Sequence, residues 1–209
     1  MTFQSIAATN GNLAERLLCN SINVVSSLLR HLHVEGRVEL VGGRKKSDCR
    51  IVTADRTIPF QNKNGNIDGR GHSVNRSTLN LLTKDEAAKN LINNVCLIKG
   101  IERPSVGADI SKEIVDQCLF GNDFKPEYFT HTKIAHGQIS ELYICPTDIL
   151  RDAVIAELYP QMLPKRTCVH LSPAIYLQRK GGGKNDHSPN DIQMKFRLAP
   201  FMHLFTRLM

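Results

Sequence analysis

The sequence lacks the features that would place it among membrane proteins, secreted disulfide scaffolds or zinc-binding proteins. Its six cysteines are scattered, with no C-x-x-C spacing and no zinc-like pairing with histidine. No apolar run is long enough to cross a bilayer, and the first residues lack the basic start and apolar core of a signal peptide. We therefore expect a soluble intracellular protein whose thiols are reduced and act as small hydrophobes.

There is also no internal repeat, and the composition, 41% hydrophobic and 22% charged, is that of a globular protein. The net charge of +7 is unevenly distributed. Residues 36–76 carry +5 and residues 164–209 carry +6, whereas residues 77–163 carry −4 and residues 1–35 are neutral. Two basic blocks around an acidic middle favour a polyanionic ligand, of which nucleic acid is the usual one. Solubility alone would not require the two signs to be separated.

Hydrophobic spacing predicts one helix followed by three strands in the first third of the chain. The helix covers residues 12–32, with Asn10 or Asn12 as its cap, and the strands cover residues 37–41, 46–52 and 57–63. Further helices are predicted at residues 84–93, 110–119 and 148–159. Further strands are predicted at residues 141–145, 167–171, 174–178 and 192–197.

The second and third strands carry the most informative polar side chains. Gln61 and Lys63 alternate along one strand and share a face, whereas Asn62 points the opposite way. If the two strands pair, Asp48 comes close to the Gln61 and Lys63 side chains. Asp48 would then hold a divalent cation, and Lys63 would orient or activate the attacking water in phosphodiester hydrolysis. The alternative is an ordinary surface hairpin with solvated charges.

A basic loop between the last two predicted strands suits contact with a polyanion. The glycines at 181–183 let the backbone approach phosphates, and the neighbouring side chains can contact bases or phosphates. The alternative is a mobile loop with solvated charges. A nucleotide-binding phosphate loop is excluded, because strand signals rather than a helix follow the glycines. The candidate contacts are Gln178, Arg179, Lys180, Lys184 and Asn185.

Taken together, these stretches resemble the PD-(D/E)xK nuclease superfamily, and within it the MspI-like group of type II restriction endonucleases. The resemblance rests on the strings Ser47-Asp48 … Gln61-Asn62-Lys63 and Gln178-Arg179-Lys180-Gly181-Gly182 … Asp191-Ile192-Gln193-Met194-Lys195. It implies a restriction-endonuclease-like α/β fold, with a central mixed β-sheet flanked by helices and a C-terminal β-rich DNA-binding portion. It also implies a single nuclease domain over residues 1–209, with the catalytic core in residues 1–100 and a basic β-hairpin for DNA recognition in residues 160–209.

The implied activity is Mg²⁺-dependent hydrolysis of double-stranded DNA at a short palindromic site, with Mn²⁺ as a substitute and 5′-phosphate ends as the product. The protein would be cytoplasmic, in a prokaryotic cell, would bind no membrane and would act as a monomer or a homodimer. Two alternatives stay open. One is a structure-specific DNA repair or recombination nuclease, and the other is a non-enzymatic DNA-binding protein.

By the same resemblance, Asp48 is the metal-binding acid, Gln61 occupies the second acid position and Lys63 is the catalytic lysine. The departure from the superfamily is Gln61, because an amide oxygen is a weaker ligand for a hard cation than a carboxylate. A further acid would then assist the metal. Ser47 and Asn62 would orient the site through hydrogen bonds.

Glu15 on the first helix is the additional acid that we count as a metal ligand, although a solvent-facing helical residue is the plainer explanation. Glu39 on the preceding strand and Asp68 in the following loop are the other two candidates. The rest of that loop would lie near the cleaved phosphate. The remaining candidate DNA contacts are Arg70, Asn75 and Arg76 in this region, and Gln193 and Lys195 in the C-terminal string.

Overall fold

The computed structural model of the protein describes residues 6–41, 47–65, 72–73, 111–121, 125–165, 168–179 and 192–209. The chain divides into two compact units. One comprises residues 1–66, 120–150 and 202–209, and the other comprises residues 67–119 and 151–201. The single nuclease domain over residues 1–209, with its two functional regions, stays a prediction.

The elements of the described ranges are named here in chain order. The helices are α1 (Ile6–Asn20), α2 (Ile22–Leu32), α3 (Lys112–Phe120) and α4 (Thr147–Ala156), with a short 3-10 helix at Ala199–Leu204. The strands are β1 (Arg37–Leu40), β2 (Cys49–Val52), β3 (Thr57–Asn64), β4 (His72–Ser73), β5 (Tyr128–Ala135), β6 (Gln138–Pro146), β7 (Leu163–Lys165), β8 (Cys168–His170), β9 (Ile175–Arg179), β10 (Ile192–Phe196) and β11 (Thr206–Arg207).

The first unit is built on a six-stranded sheet in the order β1-β2-β3-β5-β6-β11. The pairing of β3 with β5 is parallel, and the other pairs are antiparallel. The sheet is therefore mixed, as predicted. A parallel pair needs a long connection, and β3 and β5 are separated by the whole stretch from residue 65 to residue 127.

The core of the first unit lies between α1, α2 and one face of this sheet. Leu18 and Leu28 are fully buried in the same cluster as Phe60, and each such side chain contributes roughly 1.5–3 kcal/mol when removed from water. The opposite face of β5 receives Phe120, the last residue of α3. Its ring meets that of Phe129 edge to face, with centroids 5.5 Å apart. The mixed sheet with helices packed against it confirms the predicted α/β fold class.

The prediction of one helix over residues 12–32 was wrong, because the chain forms two helices that are interrupted at Ser21. This residue has extended backbone angles, φ −79° and ψ 115°, although its carbonyl still accepts the first hydrogen bond of α2 from Val25. Serine favours such a cap position over a helix interior. The predicted caps Asn10 and Asn12 lie inside α1, which begins at Ile6. The apolar spacing alone could not locate this break.

The second unit contains an antiparallel five-stranded sheet in the order β4-β10-β9-β8-β7. One face of this sheet is apolar and buried, whereas the alternating positions of the same strands carry His170, Gln178 and Lys195 together with Tyr176, which is also buried. The C-terminal part of the chain is therefore β-rich, as predicted. The buried face is formed by Val169, Ile175, Leu177, Met194 and Phe196. In the described ranges, no helix combines the length and the apolar character that a membrane span requires.

Candidate active site

The antiparallel hairpin of β2 and β3 places Asp48 beside Gln61. Asp48 lies one residue before β2, where its backbone N–H donates to the Phe60 carbonyl at 3.1 Å and its carbonyl accepts from Val41 at 2.9 Å. Its carboxylate Oδ2 accepts the backbone N–H of Asn62 at 2.9 Å. The backbone of β3 therefore holds the Asp48 carboxylate in place, at the position where the sequence predicted the metal-binding acid.

The described part of the protein gives the side-chain oxygen of Gln61 no hydrogen bond. Its side chain is only 7% exposed, and its Oε1 atom is buried with no hydrogen-bond partner among the residues that the structure describes. A buried acceptor without a partner costs about 1–3 kcal/mol. An amide oxygen beside a carboxylate is a suitable ligand for a hard divalent cation. The buried Gln61 oxygen and the Asp48 carboxylate therefore fit a Mg²⁺ or Mn²⁺ ion.

Three ionisable groups influence each other at this site, and α1 brings the third. Burial lowers the pKa of Lys63, while the charges of Asp48 and Glu15 oppose that effect. Burial also raises the pKa of Glu15, and the charge of Asp48 raises it further, with Lys63 acting in the opposite direction. The structure thus brings Glu15 into electrostatic range of the hairpin, more than 30 residues away in sequence. This is the arrangement in which two carboxylates share one positive partner.

Glu39, the alternative acid on the neighbouring strand β1, is engaged elsewhere. Its carboxylate oxygens accept from Arg37 Nε at 2.6 Å and from Arg50 at 2.9 and 3.0 Å. These hydrogen bonds keep the pKa of Glu39 low. Asp68 lies outside the described residues. Across the described ranges, no three His, Cys, Asp or Glu side chains are grouped so as to hold a metal by themselves, so the amide of Gln61 would have to contribute.

Asn62 connects the hairpin to β5 through a buried hydrogen-bond network. The Thr130 hydroxyl donates to Asn62 Oδ1 at 3.0 Å, and Asn62 Nδ2 donates to the Thr132 hydroxyl at 3.1 Å. These contacts agree with the parallel register, in which Asn62 lies opposite Thr130. Ser47, the other residue expected to orient the site, is also buried. The same backbone that holds Asp48 is therefore fixed from its other side by β5.

Sequence reasoning missed Thr130 and Thr132 because it did not recognise β5 at all. A signal was present, since residues 128–135 are rich in aromatic and β-branched residues, which favour strands. What the sequence could not supply is the pairing partner. Parallel pairing with β3 is a long-range choice that hydrophobic spacing does not encode.

The second unit carries a separate group of predicted contacts. Gln178 on β9 lies opposite Gln193 on β10, and Tyr176 lies opposite Lys195. In an antiparallel sheet, these directly opposed and alternating positions share one face. It is the face opposite the buried residues, so Gln178 and Lys195 lie on the polar side of this sheet. Arg179 ends β9 opposite Ile192.

Four further residues of this polar face were missed by the sequence analysis. The imidazole of His170 stacks on the Tyr176 ring at 5.4 Å, and the guanidinium of Arg197 lies 5.0 Å from the centre of that ring. Burial lowers the pKa of His170, and the nearby cations Lys165 and Arg197 lower it further. The signal was the alternation of apolar residues with polar or aromatic ones along these strands. We call Lys165, His170, Tyr176, Gln178, Lys195 and Arg197 the cationic face.

The other predicted contacts cannot be placed. Arg70, Asn75, Arg76, Lys180, Lys184 and Asn185 lie outside the described residues, as does the predicted helix at residues 84–93.

Comparison with known proteins gives a likeness of structure but no match of sequence. No family model matches the sequence, and no curated protein matches it. A crystal structure of the restriction endonuclease MspI in complex with its cognate DNA matches 87% of this chain and 82% of its own, with 14% identity and a TM-score of 0.49. A likeness at that level says nothing by itself about activity, so the function has to be argued from this chain's own residues.

Proposed function

We propose that this protein is a type II restriction endonuclease that hydrolyses double-stranded DNA at a short palindromic site with the help of Mg²⁺, leaving 5′-phosphate ends. One observation supports it most strongly. The carboxylate of Asp48 is anchored beside a buried, unpartnered oxygen of Gln61, and Lys63 lies one alternation further along the same strand. An acid, an amide oxygen and a lysine at one sheet position suit phosphodiester hydrolysis better than any structural role.

Asp48, Gln61 and Glu15 are the residues that would hold the metal. Mg²⁺, or Mn²⁺ in its place, would supply charge stabilisation at the scissile phosphate and lower the pKa of the attacking water. The backbone N–H of Asn62 fixes the Asp48 carboxylate, which limits the rearrangement that binding requires. Glu15 compensates for the neutral amide at position 61. Burial and the charge of Asp48 raise the pKa of the Glu15 carboxylate, and a bound cation would favour the ionised form.

Lys63 would place positive charge where negative charge develops on the phosphate. Lys63 as a residue is half-buried, its ammonium is desolvated, and the charges of the Asp48 and Glu15 carboxylates favour the protonated form despite that burial. A fixed cation in a partly dehydrated site stabilises a transition-state charge more strongly than a mobile one in water. The same group is also suited to orient the attacking water.

The cationic face of the second unit is the proposed contact with the DNA backbone. The titratable residues that define this face are lysines, an arginine, a histidine and a tyrosine, and none of them is acidic. Residues 164–209 carry a net charge of +6. Such a surface suits a line of phosphates, and the Gln178 amide adds a group that can contact a base. Cytoplasmic location, and a choice between monomer and homodimer, belong to the same proposal.

The direct test is incubation of the purified protein with a fully mapped phage DNA and Mg²⁺, followed by sequencing of the fragment ends. We expect discrete fragments whose ends share one short palindrome and carry 5′-phosphates. Cleavage confined to flaps, junctions or mismatches would instead indicate a repair or recombination nuclease. Retained DNA binding without cleavage in either Mg²⁺ or Mn²⁺ would indicate a non-enzymatic binding protein.

Asp48→Asn tests the assignment of the site. The variant is expected to lose cleavage by about 100-fold or more while it still binds DNA, because it loses a charge that acts on the metal rather than on the fold. Asp55→Asn is the matched control, since it removes a carboxylate from the exposed turn of the same hairpin. Cleavage rates and gel-shift affinities of the two variants are compared. Equal activity in both would rule out the proposed metal ligand.

A further inference from the structure

We propose that Cys19 and Cys49 are a modification site, at which a reversible disulfide forms and switches the neighbouring site off. The claim that this disulfide forms does not depend on the proposed nuclease function. The claim that it switches cleavage off rests on that function. Cys19 lies on α1 and Cys49 is the first residue of β2. Neither residue has a role in the chemistry proposed above.

The two sulfurs are already neighbours. Their Sγ atoms are 3.5 Å apart and share a hydrogen bond, although 30 residues separate them in sequence. Both thiols are free. A disulfide holds its sulfurs about 2.05 Å apart, so the bond requires an approach of about 1.5 Å. Helix α1 and strand β2 would have to move only slightly to allow this.

The environments of the two thiols divide the chemistry between them. Cys49 is fully buried, whereas Cys19 keeps part of its surface in solvent. The thiolate is the reactive form of cysteine. Because Cys19 is the thiol in contact with solvent, it is the one that reaches a soluble oxidant first, and the buried Cys49 is the thiol that resolves the product.

A peroxide is the class of oxidant that fits. The Cys19 thiolate attacks one peroxide oxygen, breaks the O–O bond and becomes a sulfenic acid with release of hydroxide. The Cys49 sulfur then attacks the Cys19 sulfur, loses its proton and displaces hydroxide. Overall, two thiols and one hydrogen peroxide give one disulfide and two waters. A dithiol such as dithiothreitol reverses the reaction by exchange.

The bond would act on the candidate active site because its two ends adjoin two of the site residues. Asp48 directly precedes Cys49, and Glu15 lies four residues before Cys19, about one helical turn away. Cys49 Sγ also lies 4.0 Å from the Glu15 backbone carbonyl. Drawing α1 towards β2 changes the position of Glu15 relative to Asp48. A displacement of about 1 Å in a catalytic site can cost on the order of 100-fold in rate.

The experiment treats the reduced full-length protein with hydrogen peroxide and analyses it by intact mass and by mass spectrometry of non-reduced peptides. We expect a loss of about 2 mass units, a peptide that links Cys19 to Cys49, and a fall in DNA cleavage of between about tenfold and 100-fold that dithiothreitol restores. Cys19→Ser should keep its cleavage activity in peroxide. Cys168→Ser, which removes another partly exposed thiol, should respond like the wild type.

Peroxide treatment that leaves both thiols unlinked, or that oxidises Cys19 only to a sulfinic acid, would overturn the modification site. A disulfide that forms without any change in cleavage would overturn the switch. A reduced protein that never cleaves DNA would contradict the proposed function instead, and the linked peptide would then decide the modification site alone.

Discussion

At the scale of single residues, the charges around Lys63 explain why position 61 carries an amide, although the family resemblance implies an acid there. The charge of Asp48 already raises the pKa of Glu15, and one lysine offsets only part of this repulsion. A third carboxylate at position 61 would add to the repulsion in the metal-free protein. The neutral Gln61 oxygen avoids that cost and, under the proposed function, would still offer the metal a ligand atom.

Gln61→Glu should therefore make stability depend on divalent cations. In the absence of metal, we expect a lower melting temperature than in the wild type, and Mg²⁺ should raise it by more than it raises the wild type, because a ligand stabilises the state that binds it. Thermal unfolding with and without Mg²⁺ at pH 7 measures this. Gln138→Glu, at the exposed start of β6, is the matched control. Equal Mg²⁺ responses in the two variants would contradict the proposed ligand set.

Glu15 should leave a pH signature in stability. Its pKa is raised in the folded protein, so the folded state is favoured at a pH below the unfolded pKa, and this advantage is lost as the pH rises through the folded pKa. Glutamine does not ionise, so the Glu15→Gln variant does not lose this stability as the pH rises. We expect the variant to melt about 1–2 °C above the metal-free wild type at pH 7, a modest gain because Glu15 keeps part of its surface in water.

The difference between Glu15→Gln and the wild type should shrink to nothing as the pH falls towards 4. Melting curves at several pH values measure it, and Glu35→Gln serves as the control because that side chain is exposed. A difference that does not depend on pH would mean that Glu15 acts through packing and not through its charge.

At the scale of elements, the link between β3 and β5 supports the site. Thr130→Val removes one of the two hydroxyl donors to Asn62 Oδ1 and is expected to lower the free energy of unfolding by about 0.5–1.5 kcal/mol. Urea denaturation measures this, and Thr57→Val at the exposed start of β3 is the control. If both substitutions cost the same, the network contributes no more than an ordinary surface threonine.

The same two strands mark how far the sequence could predict this structure. The two strands of the β2–β3 hairpin were predicted, at residues 46–52 and 57–63, because they are adjacent in sequence and their alternation is local. The strand β5 was missed, and with it the residues that hold Asn62. The break at Ser21 was missed for a different reason, since the apolar spacing continues through it and only the backbone angles reveal it.

At the scale of the whole molecule, the charge pattern of the sequence predicted a polyanionic partner, and the structure adds the cationic face as a defined surface. If this face meets phosphates, Lys165→Ala should weaken DNA binding to all sequences alike. It should also reduce the slope of log affinity against log salt by about 0.9. Lys112→Ala, which removes an exposed lysine at the start of α3, is the control. An unchanged salt slope for Lys165→Ala would exclude this residue from the contact.

The 68 residues between Asn62 and Thr130 have a consequence for how the protein is made. A nascent chain that has left the ribosome only as far as α3 already contains Asp48, Gln61 and Lys63, but it does not yet contain the strand that fixes Asn62. Because synthesis proceeds at roughly 5–20 residues per second, the full support appears seconds later than the hairpin. Assembly of the candidate active site is thereby delayed until most of the polypeptide has been translated.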